Sequence, residues 1–472
     1  MRKFFGLLFP LFCSVLLFGQ AAGNFTGIWE GKLNVGVELR IVFHIQQNAS
    51  GGLHATADSP DQSAYGLKCD TTFVTAEGLT IEMHNLNASF SGKLINDSTI
   101  EGIFTQGAGL SLNLKKVEKP SERKRPQNPQ PPFPYKSENI EFDNADKSLH
   151  FGATITIPPG KGPFPAAVMI TGSGPQNRDE EIMGHKPFAV LADALTKKGM
   201  VVLRVDDRGV GKSTGKFSEA TSADFAEDVN TSLNYLLSRP EVNKKKVGMI
   251  GHSEGGMIAP MVASQRKDIN FIILLAGPGI KIADLMTEQN IAILGSVGVS
   301  RAAQDAYRPL YKEVMSVILN APDTTTALRD ATSALKKWLA GTNDTLAKQL
   351  GFATEKDQQR LTAMLVKEFS NKWFKYFLAF DPAPYLQKLN CKVLAINGSR
   401  DIQVISSSNL AGIRAALKKS PSKSYQVIEL PGLNHLFQTC VKCTTQEYGE
   451  LEETFSPAAL QTITEWFEKN VK

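Results

Sequence analysis

The sequence predicts an α/β protein: a mostly parallel sheet flanked by helices, interrupted by a helical insertion and preceded by a small antiparallel β-domain. Three observations predict it. From about Ser137 onward, apolar strand-like runs alternate with amphipathic stretches of helical period, the pattern of strands joined by crossover helices. Between Ala276 and Cys391 that alternation stops and only helical spacing remains. Before Val117 the chain instead shows short runs of alternating polarity separated by Gly, Asn and Asp, as antiparallel strands and their turns require.

The first residues belong to neither fold. Met1-Arg2-Lys3 precedes an apolar run from Phe4 to Phe18 and a small-residue exit, Gly19 to Gly23, which predicts a signal peptide over residues 1–22. The run is short for a membrane span. Cys13 sits inside it behind Phe12 rather than behind a small residue, which argues against lipidation. The predicted location is exported, periplasmic or extracellular, with no membrane span in the mature chain.

About 450 residues remain, more than one ordinary core accommodates, so at least two domains are expected. Residues 24–118 read as the β-domain, a meander or open barrel. Phe25–Leu33, Val37–Ile45, Leu79–Met83 and Leu110–Leu114 alternate, and Trp29-Glu-Gly-Lys-Leu33 is echoed by Phe90-Ser-Gly-Lys-Leu94. It is either a packing module or a holder of a hydrophobic ligand; His44, His54 and His84 form no ligand cluster in it. Residues 119–137, rich in Pro, Lys, Arg and Gln, read as a semi-rigid linker.

With 42% hydrophobic and 21% charged residues the chain has a globular composition. Its 52 Lys and Arg against 47 Asp and Glu leave a net charge of +5, which the cluster of Lys115, Lys116, Lys119, Arg123, Lys124 and Arg125 accounts for. Nucleic-acid binding therefore has no support.

The α/β domain is predicted over residues 138–472, with a helical cap at about 280–388. Its strands are Leu149–Ile157, Phe164–Ile170, Met200–Val205, Lys246–Ile250, Phe271–Ala276, Lys392–Asn397 and Tyr425–Leu430. Helices fall at Phe188–Lys198, Ser222–Ser238 and Pro457–Asn470. The cap ends in the aromatic run Trp373-Phe-Lys-Tyr-Phe-Leu-Ala-Phe380, placed to shape access to a site below it.

The chemistry centres on Gly251-His252-Ser253-Glu254-Gly255, a G-x-S-x-G turn between an apolar strand and the helical run Met257–Ala263. A nucleophilic serine on a sharp strand-to-helix turn needs Gly251 and Gly255 because backbone approaches closely there. A serine needs a base and an orienting acid. Of seven histidines, His435 follows the last strand of the sheet and precedes the last helix; His252 adjoins the serine, but alternation aims it away, and His150 and His185 lie early in the domain. Asp401, delivered by Asn397-Gly-Ser-Arg-Asp401 after the preceding strand, is the acid, and its rival Asp381 reads as a turn or helix cap.

Two backbone donors are expected for an oxyanion: the N–H of Glu254 and that of Ser173, in the loop Thr171-Gly172-Ser173-Gly174-Pro175. Asp207-Arg208-Gly209 invites a phosphate-loop reading, which fails for want of the first glycine; a structured loop beside the site fits better. Cys440-Val-Lys-Cys443 is either a local disulfide or two free thiols. This chemistry calls for neither metal nor organic cofactor.

Gly172-Ser-Gly-Pro-Gln176, Asp206-Asp-Arg-Gly-Val-Gly-Lys-Ser213, Gly251-His-Ser-Glu-Gly-Gly256, Asn397-Gly-Ser-Arg-Asp401 and Asn434-His-Leu-Phe-Gln438 resemble two-domain bacterial α/β-hydrolases of the EstD esterase type, relatives of the serine aminopeptidase-like hydrolases. The resemblance implies an α/β-hydrolase fold and carboxylic-ester hydrolysis, on a small-molecule ester, by Ser253, Asp401 and His435. Two alternatives stand beside it. An amide hydrolase of the same fold would need a carboxylate for a substrate amino terminus, for which Glu180, Glu181 and Glu254 are candidates. A binding protein would instead act through the β-domain.

Overall fold

The computed structural model describes residues 24–35, 38–62, 64–121 and 124–472; the predicted signal peptide lies outside the described residues. The chain divides into two compact units, Met1–Lys124 with Ile182–Gly184, and Arg125–Glu181 with His185–Lys472.

The first unit is antiparallel. Its strands are β1 (Gly27–Asn34), β2 (Glu38–Gln47), β3 (Leu53–Ser59), β4 (Ala64–Lys68), β5 (Thr71–Thr75), β6 (Gly78–Met83), β7 (Ala88–Asn96), β8 (Thr99–Gln106), β9 (Ala108–Ser111) and β10 (Leu114–Val117). They pair in the order β4-β3-β2-β1-β10-β8-β7-β6-β5, with β9 against β8, a path whose ends are not hydrogen-bonded to each other. Alternation sends Trp29, Phe43, Ile45, Leu79, Ile81 and Phe90 into one core, where each is essentially inaccessible. The repeated pentapeptide has a packing reason. Trp29 and Phe90 are the buried aromatics of β1 and β7, and each is followed two residues later, on the same face, by a glycine. A Cβ at Gly92 would stand 2.8 Å from Phe90 Cζ, and one at Gly31 2.4 Å from the Asn113 carbonyl.

The second unit has eight strands: β11 (Lys136–Asp143), β12 (His150–Ile157), β13 (Phe164–Ile170), β14 (Val201–Val205), β15 (Val242–His252), β16 (Ile269–Leu275), β17 (Lys392–Gly398) and β18 (Tyr425–Leu430). Their order is β11-β12-β14-β13-β15-β16-β17-β18. The first two strands are antiparallel to their neighbours and the rest are parallel. The sequence places the first strand at Leu149, and the structure adds β11 before it. Its Ser-Glu-Asn-Ile-Glu-Phe stretch is an edge strand with only Phe142 buried, so no run of apolar residues marks it.

Helices cover both faces. Phe188, Leu191 and Leu195 of α1 (Pro187–Lys197) pack with Ile463 and Phe467 of the C-terminal helix Pro457–Asn470 on one side. On the other lie α2 (Ser222–Ser238), α3 (Glu254–Ala263) and the helix Ser406–Leu417. All ten residues of α3 are buried, which explains why its sequence carries no polar face beyond Glu254.

Between β16 and β17 the chain is helical throughout: α4 (Ile282–Ser296), α5 (Arg301–Asn320), α6 (Thr324–Ala340), α7 (Asp344–Gln349), α8 (Glu355–Phe369), α9 (Lys372–Ala379) and the single turn Ala383–Leu386. This insertion has its own apolar core around Tyr307, Tyr311, Met315, Leu335 and Phe374. Asp381 ends it as a turn residue, its Oδ1 accepting from Ala383 N at 3.0 Å. Half of the predicted linker is docked: Gln127 Oε1 accepts from the N–H groups of Thr454 and Phe455, and Arg125 donates to the carbonyls of Gly449 and Leu451. Among the described residues no helix is long and apolar enough to cross a membrane.

Candidate active site

Parallel strands present their carboxyl ends along one edge of the sheet, and four loops from that edge supply the site. β15 is the fifth strand of the unit in chain order, and Ser253 follows it directly. Ser253 has φ 52° and ψ −115°, a conformation rare for any residue but glycine. The surrounding glycines hold it there. A Cβ on Gly251 would lie 2.1 Å from the Gly255 carbonyl, and one on Gly255 2.2 Å from that of Ile170, so neither position admits a side chain. Ser253 N donates to Leu275 O at 2.9 Å and Ser253 O accepts from Gly256 N at 2.9 Å, closing the turn into α3.

The structure brings Asp401 and His435 together. His435 Nδ1 lies 2.8 Å from Asp401 Oδ2, both side chains almost fully buried. The other carboxylate oxygen, Oδ1, accepts from the N–H groups of Gln403 and Val404 at 2.8 and 2.9 Å, so the acid is oriented before it meets the imidazole. His435 is held as tightly. Asn434 Oδ1 accepts from Leu436 N and Gln438 N, and Asn434 Nδ2 donates to Gln438 Oε1, so Asn434 staples the Asn-His-Leu-Phe-Gln loop into one shape. Gln438 Nε2 then reaches the carbonyls of Tyr448 and Glu453. His185, early in the domain, is buried against that same segment, hydrogen-bonded to Thr454 Oγ1 and Tyr448 O.

Ser173, Ser253 and Glu254 share a cavity of about 260 Å³ with cap residues Leu285, Met286, Phe369, Trp373, Phe374 and Phe377. The loop Thr171-Gly172-Ser173-Gly174-Pro175 is clamped from beneath. Asp207 Oδ1 accepts from Thr171 Oγ1 at 2.7 Å and its Oδ2 from Gln176 N at 2.9 Å, so one carboxyl group spans Gly172, Ser173, Gly174 and Pro175. Burial pushes the Asp207 carboxyl up to about 8, and the nearby Glu180 and Glu254 carboxyls add to the rise. Beside it Arg208 is tied to Asp228 at 2.7 Å, so the Asp207-Arg208-Gly209 segment is the structured loop its sequence suggests.

Two of the three carboxylates considered for an amino-terminus site are already occupied. Glu254 Oε1 accepts from Ser222 Oγ at 2.5 Å and Trp373 Nε1 at 2.9 Å, and burial holds its carboxyl above the usual range. Glu180 Oε1 accepts from Gly172 N at 2.8 Å and faces His252 Nδ1 at 2.9 Å. Glu181 is half-buried beside Asn177 and Lys186.

His252 is buried, and it is not aimed away from the site: its ring centroid lies 4.7 Å from that of His435, and its Nε2 donates to the His435 carbonyl at 3.0 Å. That contact is invisible in the sequence. Cys440 and Cys443 form a disulfide, and Glu447 accepts from the N–H groups of residues 441, 442 and 443 beneath it.

The sheet order, the strained serine on its elbow and the acid–imidazole pair at the same edge define an α/β-hydrolase fold with a helical cap. Comparison with known proteins bears out the resemblance read from the motifs. The model of a family described as "Serine aminopeptidase, S33" matches residues 185–368, a span that contains the elbow and ends before Asp401. Esterase EstD of Thermotoga maritima is 32% identical over 158 residues, 34% of this chain and 37% of that esterase. Human acyl-coenzyme A thioesterase 1 is 29% identical over 171 residues, 36% of each chain. The chain thus spans little more than a third of the length of these relatives. A Pyrococcus furiosus esterase of known structure superposes with a TM-score of 0.41 at 15% identity, covering 72% of this chain and 92% of that one.

Proposed function

We propose that this protein is an exported serine carboxylesterase that hydrolyses carboxylic esters through an acyl-enzyme. The observation that carries the reading is the buried 2.8 Å contact of His435 Nδ1 with Asp401, at the sheet edge where Ser253 occupies its strained elbow. Ser253 attacks the ester carbonyl and His435 takes its proton. Asp401 keeps Nδ1 protonated and stabilises the imidazolium that forms. The N–H groups of Ser173 and Glu254 donate hydrogen bonds to the negative charge developing on the carbonyl oxygen, and loss of one such donor typically costs about a hundred-fold or more. The alcohol leaves with the proton from His435, and water, deprotonated by the same imidazole, releases the acid.

The cavity supports an apolar acyl group. Leu285, Met286, Phe369, Trp373, Phe374 and Phe377 offer it hydrocarbon and ring faces. Each methylene that fits contributes roughly 1 to 3 kcal/mol of discrimination. The internal hydrogen bonds of Glu180 and Glu254 leave them ill suited to bind a substrate amine, which favours esters over aminoacyl amides. Export is supported by the charged, apolar and small-residue succession at Met1 to Gly23 and suits the Cys440–Cys443 disulfide.

The test is parallel turnover of p-nitrophenyl esters of graded acyl length, aminoacyl p-nitroanilides and an acyl-CoA by purified protein, with Ser253→Ala as control. Ester turnover at least a hundred-fold above anilide turnover, abolished in the control, is expected. Comparable anilide cleavage would assign the protein to the amide hydrolases, and turnover surviving in the control would remove Ser253 from the reaction.

A further inference from the structure

Three loops that must act together at Ser253 meet on one pair of buried side chains that takes no part in the chemistry described above. Glu180 Oε1 accepts from Gly172 N, in the oxyanion loop, at 2.8 Å and faces His252 Nδ1 at 2.9 Å. His252 immediately precedes the nucleophile, and its Nε2 lies 3.0 Å from the backbone carbonyl of His435. A carbonyl oxygen only accepts, so Nε2 carries a proton, and the Glu180 carboxyl opposite Nδ1 favours a second proton there. Burial would depress the basicity of His252, but the Glu180 charge and hydrogen bond override that and hold it above the usual range. The chain Gly172 N–H, Glu180, His252, His435 C=O is continuous, and a Cβ placed on Gly172 would sit 3.3 Å from Glu180 Oε1, 3.3 Å from Ser253 Cβ and 3.5 Å from His252 Nδ1.

A buried ion pair is a poor way to stabilise a core, because desolvating two charges offsets most of their attraction. This one is also bought with backbone strain: Glu180 has φ 52°, a left-handed conformation unusual for glutamate. Residues held so are over-determined by their surroundings, and strain of this kind collects at working sites.

We propose that Glu180 and His252 are positioning residues, a second acid–imidazole pair that never meets substrate and that fixes the oxyanion loop and the base loop relative to Ser253. The proposal rests on the esterase reading of Ser253. Glu180 holds the oxyanion loop through Gly172, and His252 holds the main chain that carries the base. The two halves of the catalytic apparatus are thereby set by one rigid link.

The test uses the full-length protein with Glu180→Gln, which keeps an acceptor for Gly172 but not the charge, and His252→Phe, which keeps a ring but neither hydrogen bond. The double variant Glu180→Gln/His252→Phe leaves no buried charge unpaired, so it tests function where folding is least at risk. Turnover of p-nitrophenyl acetate, the rate of Ser253 labelling by a fluorophosphonate, and thermal melting are measured on all three. A fall of tenfold or more in kcat and in labelling rate, with KM within twofold, is expected in each single variant. The double variant is expected to lose no more than the worse single one, because both break the same link. A folded double variant with kcat and labelling rate within twofold of wild type, or single losses that multiply in the double, would overturn the proposal. Wild-type behaviour of these variants beside an inactive Ser253→Ala would sink the link alone. Turnover in Ser253→Ala would sink the esterase reading, and the link with it.

Discussion

The indole Nε1 of Trp373, in the helical insertion, donates a 2.9 Å hydrogen bond to Oε1 of Glu254, the residue directly after Ser253. One residue thus has two duties. Its backbone N–H is a proposed oxyanion donor, and its buried side chain is the point at which α9 (Lys372–Ala379) grips the elbow. Trp373 stacks on Phe377 at 5.3 Å, and both line the cavity, so a ring that shapes the cavity also steadies the turn beneath it.

Trp373→Phe keeps an aromatic ring and deletes that bond. A hydrogen bond contributes about 0.5 to 1.5 kcal/mol net, and part of it is expected to appear as misplacement of the elbow. The expected result is a kcat/KM up to about tenfold lower toward p-nitrophenyl esters, with a melting temperature lowered by only a few degrees. Unchanged kcat/KM would show that the remaining side-chain donors to the Glu254 carboxyl, Ser222 and Ser173, suffice.

Asp401→Asn preserves shape and an acceptor for Gln403 N and Val404 N, but turns an amide nitrogen toward His435 Nδ1. The imidazole is then driven to the tautomer that cannot take the serine proton. A kcat loss of about 10⁴-fold with KM nearly unchanged is expected from steady-state kinetics. A loss below about tenfold would assign the acid elsewhere.

Asp207 gives a signed pH prediction. Its carboxyl ionises at 3.8 in an unfolded chain and at about 8 in the fold. Between those values the unfolded chain has released a proton that the folded one keeps, so stability falls as pH rises from about 4 to 8 and levels off above. Asp207→Asn mimics the protonated acid, donating to Thr171 and accepting from Gln176. The difference in melting temperature, variant minus wild type, is expected to grow more positive from pH 5 to pH 9. A difference that stays flat would show that Asp207 holds no extra proton.

Thiol titration separates the cysteines. Burial pushes Cys69 up to about 11 and Cys391 up to about 12, so neither should react quickly with a disulfide reagent in the native protein. Denaturation should expose two thiols and reduction four, since Cys440 and Cys443 are bonded. A further thiol from Cys13 would mark retention of residues 1–22 and count against export.

Much of this protein is legible in its sequence because the determining signals are local. A strand-to-helix turn with carbonyls about 2 Å from where a Cβ would stand admits only glycine, so Gly251 and Gly255 announce the elbow. The order of Ser253, Asp401 and His435 follows from the order of strands, since the loop carrying each leaves the same edge of a parallel sheet. The helical period between Ala276 and Cys391 likewise reports itself, as does the alternation of the β-domain. Tertiary structure alone decided the rest. β11 is polar and pairs along an edge, so only its partner defines it as a strand. His252, Glu180 and Asp207 look like ordinary polar residues. Glu180 bonds Gly172 eight residues back in its own loop, while the His435 carbonyl, Thr171 and Gln176 lie 183, 36 and 31 residues from their partners, and none of these hydrogen bonds leaves a period or spacing to read. Periodicity determined which faces are buried; only packing determined which buried polar groups meet.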